Sequence, residues 1–231
     1  MRALTIAALA ALTFTTGCHG VDSHEVDTED IKAHLVVSSD GRGSTEVVAE
    51  LKPIGDLFGF VDLVAGESLR VHAYGMESTL HSRWFDYHTD LPVDRGGVEF
   101  QVRLERIFGT HAPDSWVELP PGFEFYRSPG VYSLTWDALP IEWDIISDDP
   151  IELEVDGPCI TGYERTLPAG RDNGVLVLRP GDLIPTSTWD GEVCELTVTA
   201  ERMRQGRLDR AFAGGGIVAK QVRQTRVLVD W

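Results

Sequence analysis

The side chains that could do chemistry in this chain are dispersed and form no recognised catalytic motif. The sequence has none of the serine-nucleophile, zinc-protease, phosphate-loop or Cys-x-x-Cys signatures. Histidines with a nearby aspartate could make a zinc site by composition, from His72, His81, His88 and His111 with Asp86 or Asp90. Their spacing matches no compact ligand pattern. We therefore predict surface or strand-edge histidines, no catalytic residue and no metal site.

Acidic clusters are the second candidate for chemistry, because calcium binds carboxylate oxygens on flexible loops. Three clusters have this composition, within 22–30, 86–94 and 144–149. None follows the spacing of a calcium-binding loop, so solvated acidic loops are the main interpretation and weak calcium binding is the one cofactor alternative. The chain has 37 acidic residues, too many for a catalytic carboxylate pair to be singled out.

Aromatic side chains could form a binding surface, because large aromatic residues anchor interfaces well. Trp143 and Trp189 lie near turns and are predicted to be exposed, which makes them the candidate ligand-facing aromatics. Core packing or the capping of strand edges explains most of the other aromatic residues equally well.

Three cysteines complete the reactive set, Cys18, Cys159 and Cys194. Cys18 follows Arg2 and an apolar run over 3–14. A run of about twelve residues is too short to cross a bilayer and is typical of a secretory signal peptide. An exported chain meets an oxidising compartment, where thiols pair. We expect Cys159 and Cys194 to pair, which leaves Cys18 as the odd cysteine.

The end of the apolar run resembles the lipobox of bacterial lipoproteins, in the residues Thr15-Thr16-Gly17-Cys18. The resemblance implies a signal peptide over 1–17, a lipid on Cys18 and a polar tether over 18–29 that lifts the folded part off the membrane. His19 in place of aspartate implies sorting to the outer membrane of a Gram-negative cell. The alternative is ordinary cleavage near Gly17, which would give a secreted protein.

The charge of the chain is strongly negative, at −17, and unevenly distributed. Residues 201–231 hold seven basic and three acidic side chains. Residues 1–200 therefore carry a larger net negative charge than the chain as a whole. An acidic body argues against nucleic acid as a partner, because nucleic-acid binding depends on neutralising phosphates. We expect the basic end to pair with acidic neighbours inside the fold.

The elements that would position these residues are strands, because apolar and polar residues alternate along much of the chain. In 99–105, for example, Phe100, Val102 and Leu104 share one face. The same pattern predicts further strands at Ile31–Ser38, Thr45–Leu51, Ser68–Tyr74, Glu77–Arg83, Val131–Trp136, Ile151–Asp156, Val175–Leu178, Cys194–Ala200 and Ile217–Asp230. No segment shows helical periodicity.

The predicted fold is all-β, with two antiparallel β-sandwich domains that are immunoglobulin-like in architecture only. Proline–glycine clusters at 119–122 and 128–130 bracket a boundary, because proline lacks the donor that a central strand needs. We therefore place one domain at 30–125 and the other, with the disulfide, at 126–231. The run Gly214-Gly215-Gly216 is predicted to form a turn or bulge between two strands.

Residues 206–216, Gly-Arg-Leu-Asp-Arg-Ala-Phe-Ala-Gly-Gly-Gly, resemble the motif G-x-L-D-x-A-F-x-G-G-G. This motif is similar to one in an uncharacterised family of exported bacterial proteins, many of them lipoproteins. The resemblance implies export and a β-rich fold, and it carries no activity or catalytic residue to this chain.

These observations favour a lipid-anchored protein of the bacterial envelope that acts as a non-enzymatic binding or structural module. Its partners would be the membrane, through the lipid, and an unidentified component of the envelope or cell surface. Two alternatives stay open, a hydrolase of envelope polymers with an acidic site built from loops, and a calcium-stabilised surface module.

Overall fold

The computed structural model describes residues 20–55, 59–127, 130–187 and 193–231. Two short 3-10 turns, Ser23–Glu25 and Thr28–Asp30, precede the main strands. In chain order the described strands are β1 Gly20–Asp22, β2 Ile31–Ser39, β3 Thr45–Pro53, β4 Phe60–Asp62, β5 Ser68–Ala73, β6 Met76–Thr79, β7 His81–Arg83, β8 Asp86–Leu91, β9 Glu99–Glu105, β10 Ala112–Glu118, β11 Val131–Ser133, β12 Leu139–Glu142, β13 Ile151–Asp156, β14 Ile160–Thr161, β15 Tyr163–Leu167, β16 Val175–Leu178, β17 Ile184–Pro185, β18 Cys194–Gln205 and β19 Gly214–Asp230.

These strands form one large sheet and several smaller ones. The large sheet has the order β15-β13-β18-β19-β2-β3-β8-β7, with β11 also paired to β19, and a second sheet has the order β10-β9-β5-β6. Most neighbours are antiparallel, whereas the pairs β1–β4, β2–β19 and β11–β19 run parallel. The all-β sandwich predicted from the sequence is confirmed, and its immunoglobulin-like detail stays a prediction.

Alternation of side chains explains why these strands pack as two layers. In β9 the side chains of Phe100, Val102 and Leu104 are buried while the intervening polar residues face outward. Strand β13 repeats the pattern with Ile151 and Leu153. Because successive side chains of a strand point to opposite faces, each strand contributes one apolar face to a core.

Two hydrophobic clusters make up the interior. The first lies among β2, β3, β5, β8, β9 and β10, and the second among β12, β13, β16, β18 and the last part of β19. The β18–β19 hairpin serves both, because Ile217 belongs to the first cluster and Val229 to the second. The domain boundary predicted near 125 stays a prediction, and the two halves share a continuous sheet.

Strand β19 gives the molecule two distinct ends. Its first residues pair with the start of β2, and its last residues pair with β11. Its 17 residues span about 50 Å at about 3.3 Å per residue. We call the region around the start of β2 the β2 end and the region around β11 the β11 end.

The glycine run begins β19 and does not form the predicted turn. Gly215 has a φ of 109°, and a Cβ atom there would lie 2.0 Å from the carbonyl oxygen of Ala33. Only glycine tolerates this backbone conformation and this close approach of β2.

Two other predictions concern covalent and ionic links, and both are confirmed. Cys159 and Cys194 form a disulfide with a Cα–Cα distance of 6.3 Å. Basic side chains of β18 and β19 pair with acidic neighbours inside the fold, as Arg202–Asp172, Arg204–Asp149, Arg204–Glu118, Lys220–Glu201, Arg223–Glu124 and Arg226–Glu195.

Candidate functional site

The described part of the N-terminal segment, from Gly20 onward, is docked onto β4 and beside the first hydrophobic cluster. Cys18 itself lies outside the described residues. Strand β1, Gly20–Asp22, pairs in parallel with β4, and the two 3-10 turns continue directly into β2. The polar tether predicted over 18–29 is therefore wrong for residues 20–29. Polar composition suggested a solvated linker, but Ser23 and Thr28 are buried.

The partner strand β4 is itself fixed to the large sheet. The hydroxyl of Tyr87 in β8 donates to the carbonyl oxygen of Val61 at 3.0 Å and accepts from the N–H of Leu63 at 2.8 Å. Burial raises the pKa of Tyr87 to about 12, so the hydroxyl keeps its proton and remains a donor at neutral pH. On the other side, the ring of Phe60 covers Gly20, where a Cβ atom would lie 2.6 Å from the ring.

A buried ion pair lies beneath the 3-10 turns. Nε of Arg106 donates to Oε1 of Glu67 at 2.9 Å, with both side chains no more than 1% exposed. The hydroxyl of Ser23 donates to the other carboxylate oxygen. The backbone N–H groups of Ile107 and Phe108 also donate to Oε1, at 3.1 and 3.3 Å. The carboxylate therefore has a donor on each oxygen, as a buried charge requires.

The remaining donors of Arg106 bind the N-terminal segment directly. Nη1 donates to the hydroxyl oxygen of Thr28 at 3.1 Å, and Nη2 donates to the carbonyl oxygens of Ser23 and Val26. The Thr28 hydroxyl in turn donates to the carbonyl oxygen of Thr110. A single guanidinium thus joins both 3-10 turns to the second sheet, using the fixed fork of donors that only arginine offers.

The protonation of Glu67 is set by this network. Burial alone raises the pKa of the Glu67 carboxyl, but hydrogen bonds from Ser23, Arg106 and Phe108 and the charge of Arg106 outweigh it. The pKa consequently lies below its ordinary value. The carboxylate is ionised at neutral pH, which suits a structural ion pair and does not suit a general acid.

We expect the docking of the N-terminal segment to weaken in acid. A glutamate whose pKa is lowered by folding stabilises the native state above its unfolded pKa of about 4.3, and this stability is lost as the pH falls through the lowered value. Hydrogen exchange of the amides in 20–30, measured from pH 6 to pH 3, should show the loss. The control is Glu67→Gln, which removes the titration. Identical pH profiles for the wild type and this variant would contradict the assignment.

A second buried network lies where the two hydrophobic clusters meet. The side chains of Arg202 and Asp172 are both fully buried and form an ion pair at 2.6 Å. The guanidinium also donates to the carbonyl oxygen of Pro121 at 2.8 Å and lies 4.6 Å from the centre of the Phe123 ring. This network joins β18 to the connection between the halves of the chain.

The same network corrects the prediction for Trp143. This residue was expected to be an exposed, ligand-facing aromatic, but it is 2% exposed and belongs to the second hydrophobic cluster. Its indole N–H donates to Asp172 at 2.9 Å, which satisfies the polar group that burial would otherwise leave unpaired. The other predicted aromatic, Trp189, lies outside the described residues.

The histidines that could have made a metal site by composition lie on separate elements. His81 and His88 pair across β7 and β8, whereas His72 lies on β5 in the other sheet and His111 precedes β10. Within the part of the chain that the structure describes, no three His, Cys, Asp or Glu side chains come together to hold a metal ion. In the cluster at 144–149, Asp149 is bound by Arg204.

An open groove of about 750 Å³ lies beside β9 and β10. It is lined by residues of both charges, among them Arg103, Glu105, His111 and Asp114. Nδ1 of His111 accepts the backbone N–H of Arg106 at 3.0 Å, which fixes the ring. The groove can hydrogen-bond a polar ligand.

Sequence reasoning expected the basic end to pair with acidic neighbours, but it singled out neither buried ion pair. Arg106 and Glu67 are 39 residues apart, and Arg202 and Asp172 are 30 apart. Each residue alone resembles the surface charges around it, so no local signal distinguishes these four from the rest.

Comparison of the chain with models of protein families and with curated proteins gives no match. The resemblance to exported lipoproteins therefore stays a prediction. The described part of the chain has no helix that is both long enough and apolar enough to cross a membrane.

Proposed function

We propose that this protein is a lipid-anchored component of the bacterial envelope whose β-sandwich body is held directly at the membrane, where it acts as a non-enzymatic binding or structural module. The location follows the lipobox-like sequence and its outer-membrane sorting signal. The observation that carries the proposal is the docked N-terminus, because pairing with β4 begins at Gly20, two residues after Cys18.

The short distance between lipid and body distinguishes this arrangement from a long flexible tether. Consecutive Cα atoms are about 3.8 Å apart, so a lipid on Cys18 would be joined to the chain within about 8 Å of Gly20. Any force on the lipid would pass through the β1–β4 pairing and the Arg106 network into the sheets. In this arrangement the buried ion pair would help to transmit that force from the N-terminal segment to the second sheet.

The disulfide and the ionised carboxylates also support the proposal. A disulfide in the second cluster suits an oxidising compartment outside the cytosol. Glu67 and Asp149 have pKa values lowered by arginine and hydroxyl partners that outweigh burial, so both serve as structural anions.

Intact mass of the membrane-extracted protein tests the anchor. We expect the mass of residues 18–231 with about two or three acyl chains, which is enough lipid for stable anchoring, and with one disulfide. The control is Cys18→Ser, which should be unacylated and should leave the membrane fraction. A wild-type mass equal to residues 18–231 without lipid, or a chain that retains 1–17, would overturn the proposal.

A further inference from the structure

An aromatic cluster lies beside the point where the chain leaves the proposed lipid. Phe60 covers Gly20, and its ring meets that of Phe85 edge to face with 5.4 Å between centroids. Trp84, the neighbour of Phe85, is 84% exposed, and Phe85 is 50% exposed. We call Phe60, Trp84 and Phe85 the aromatic patch.

The aromatic patch belongs to the β2 end of the molecule. Trp84 and Phe85 form the two-residue loop between β7 and β8, since Arg83 pairs with Asp86. Ile54, which is also exposed, follows β3 at the same end, and its N–H donates to the carbonyl oxygen of Asp30 just before β2. Exposed apolar side chains and the start of the docked chain therefore share one end.

The backbone of Trp84 shows that this tryptophan is not the residue the turn prefers. Its φ is 57°, in the left-handed region, where a two-residue hairpin loop favours glycine, asparagine or aspartate. A bulky side chain at such a position is a conformational outlier, and outliers of this kind concentrate at functional sites. Because the indole is largely exposed, it contributes little to the packing of the core.

We propose that the aromatic patch lies in the interfacial region of the bilayer beside the lipid on Cys18 and thereby orients the body. This inference rests on the proposed function, because the lipid is what brings the β2 end to the membrane. The occupant is lipid and not a protein, because Gly20 contacts the patch and Cys18 is only two residues away. Tryptophan is suited to this region, since its ring is apolar and its N–H is polar.

Charge does not drive this contact. The chain carries a net charge of −17, so anionic lipid would repel the body. We therefore expect the contact to form on zwitterionic phosphatidylcholine and to gain nothing from added anionic lipid. The β11 end, about 50 Å away along β19, would then lie far from the bilayer.

The chain offers a matched control for locating the contact. Trp136 is 83% exposed, nearly the same as Trp84, and follows β11 at the opposite end. The test uses the mature acylated protein in vesicles with brominated phosphatidylcholine, which quenches tryptophan at the depth of the lipid. Trp84→Tyr and Trp136→Tyr each remove one tryptophan. Subtracting the emission spectrum of a variant from that of the wild type therefore gives the emission of the single tryptophan that was replaced. We expect the Trp84 emission to shift to shorter wavelength and lose roughly half its intensity, and the Trp136 emission to stay unchanged.

A second variant separates a membrane role from a structural one. Trp84→Gly suits the positive φ, so we expect it to fold with unchanged or higher stability while the body loses its fixed orientation on the vesicle. A clear loss of stability would assign Trp84 to the fold and overturn the inference. Burial of Trp84 in a concentration-dependent dimer without vesicles would also overturn it.

Failure of the anchor and failure of the patch are distinguishable. Cys18 is the one cysteine outside the disulfide, so unacylated protein can be coupled through its thiol to a maleimide lipid. If native Cys18 carries no lipid but coupled protein still shows quenching of Trp84, the proposed function fails, and the result supports only the affinity of the aromatic patch for the bilayer. If Trp84 is not quenched in either anchored form, the patch inference is wrong.

Discussion

Replacing Arg106 by methionine is expected to lower the free energy of unfolding by about 3–5 kcal/mol, because it leaves the Glu67 carboxylate buried without its cation. Carbonyl oxygens of Ser23 and Val26 would lose their donors as well. Methionine keeps most of the side-chain volume, so the effect reports the lost charge and hydrogen bonds. Urea unfolding of the full mature chain measures the change.

Two comparisons identify the cause. Glu67→Gln in the Arg106→Met background should recover part of the loss, since the buried charge is then absent. Arg70→Met removes an arginine whose partners, Glu77 and Glu105, lie at the surface, and it should cost less than about 1 kcal/mol. Equal losses for Arg106→Met and Arg70→Met would show that the docked segment is not held by this ion pair.

Removing the disulfide is expected to cost on the order of 4 kcal/mol in the loop-entropy account. The bridge closes a loop with a sequence separation of 35, and both sulfur atoms lie in the second hydrophobic cluster. The double variant Cys159→Ala and Cys194→Ala should therefore unfold at a lower urea concentration. A reductant should destabilise the wild type by a similar amount and leave the variant unchanged.

Cys18→Ser is the matched control for this experiment, because it removes a cysteine without touching the bridge. We expect its stability in urea to equal that of the wild type. If the wild type keeps its stability in urea after the disulfide has been fully reduced, the contribution assigned to the disulfide would be wrong.

Much of the architecture follows from side-chain alternation alone. Strand β9 was predicted at its observed bounds, 99–105, and β13 at 151–156, because a half-buried strand needs an apolar residue at every second position. Strands whose buried positions hold polar or aromatic residues were missed, such as β8 with Tyr87 and Thr89. Alternation is weaker there, although the backbone pairs equally well.

The long hairpin of β18 and β19 shows where local pattern ends and tertiary structure begins. The alternation in 217–230 predicted a strand, but not that one part would pair with β2 and another with β11. Partner choice depends on which edges are free once the rest of the chain has folded. That information is distributed over distant segments, since Lys32 pairs with Gly214 and Val131 pairs with Leu228.

Burial of polar and amphipathic side chains was decided by distant partners. The residues after Gly20 are polar, and Trp143 lies near turns, so composition and position indicated exposure for both. Thr28 and Trp143 are buried instead, because Arg106 hydrogen-bonds Thr28 in the N-terminal segment and Asp172 accepts the indole N–H of Trp143. These hydrogen bonds offset the cost of burying the polar groups.

The sequence by itself determined the all-β class, the positions of the strongly alternating strands and the pairing of Cys159 with Cys194. Each of these depends on periodicity or on a count of residues within the chain. Only the tertiary structure decided that the N-terminal segment docks, that Trp143 is buried and that Trp84 is exposed in the loop whose Phe85 contacts Phe60. The physical reason is that the cost of burying or exposing a group depends on what surrounds it in space, and those neighbours are brought together only by the completed fold.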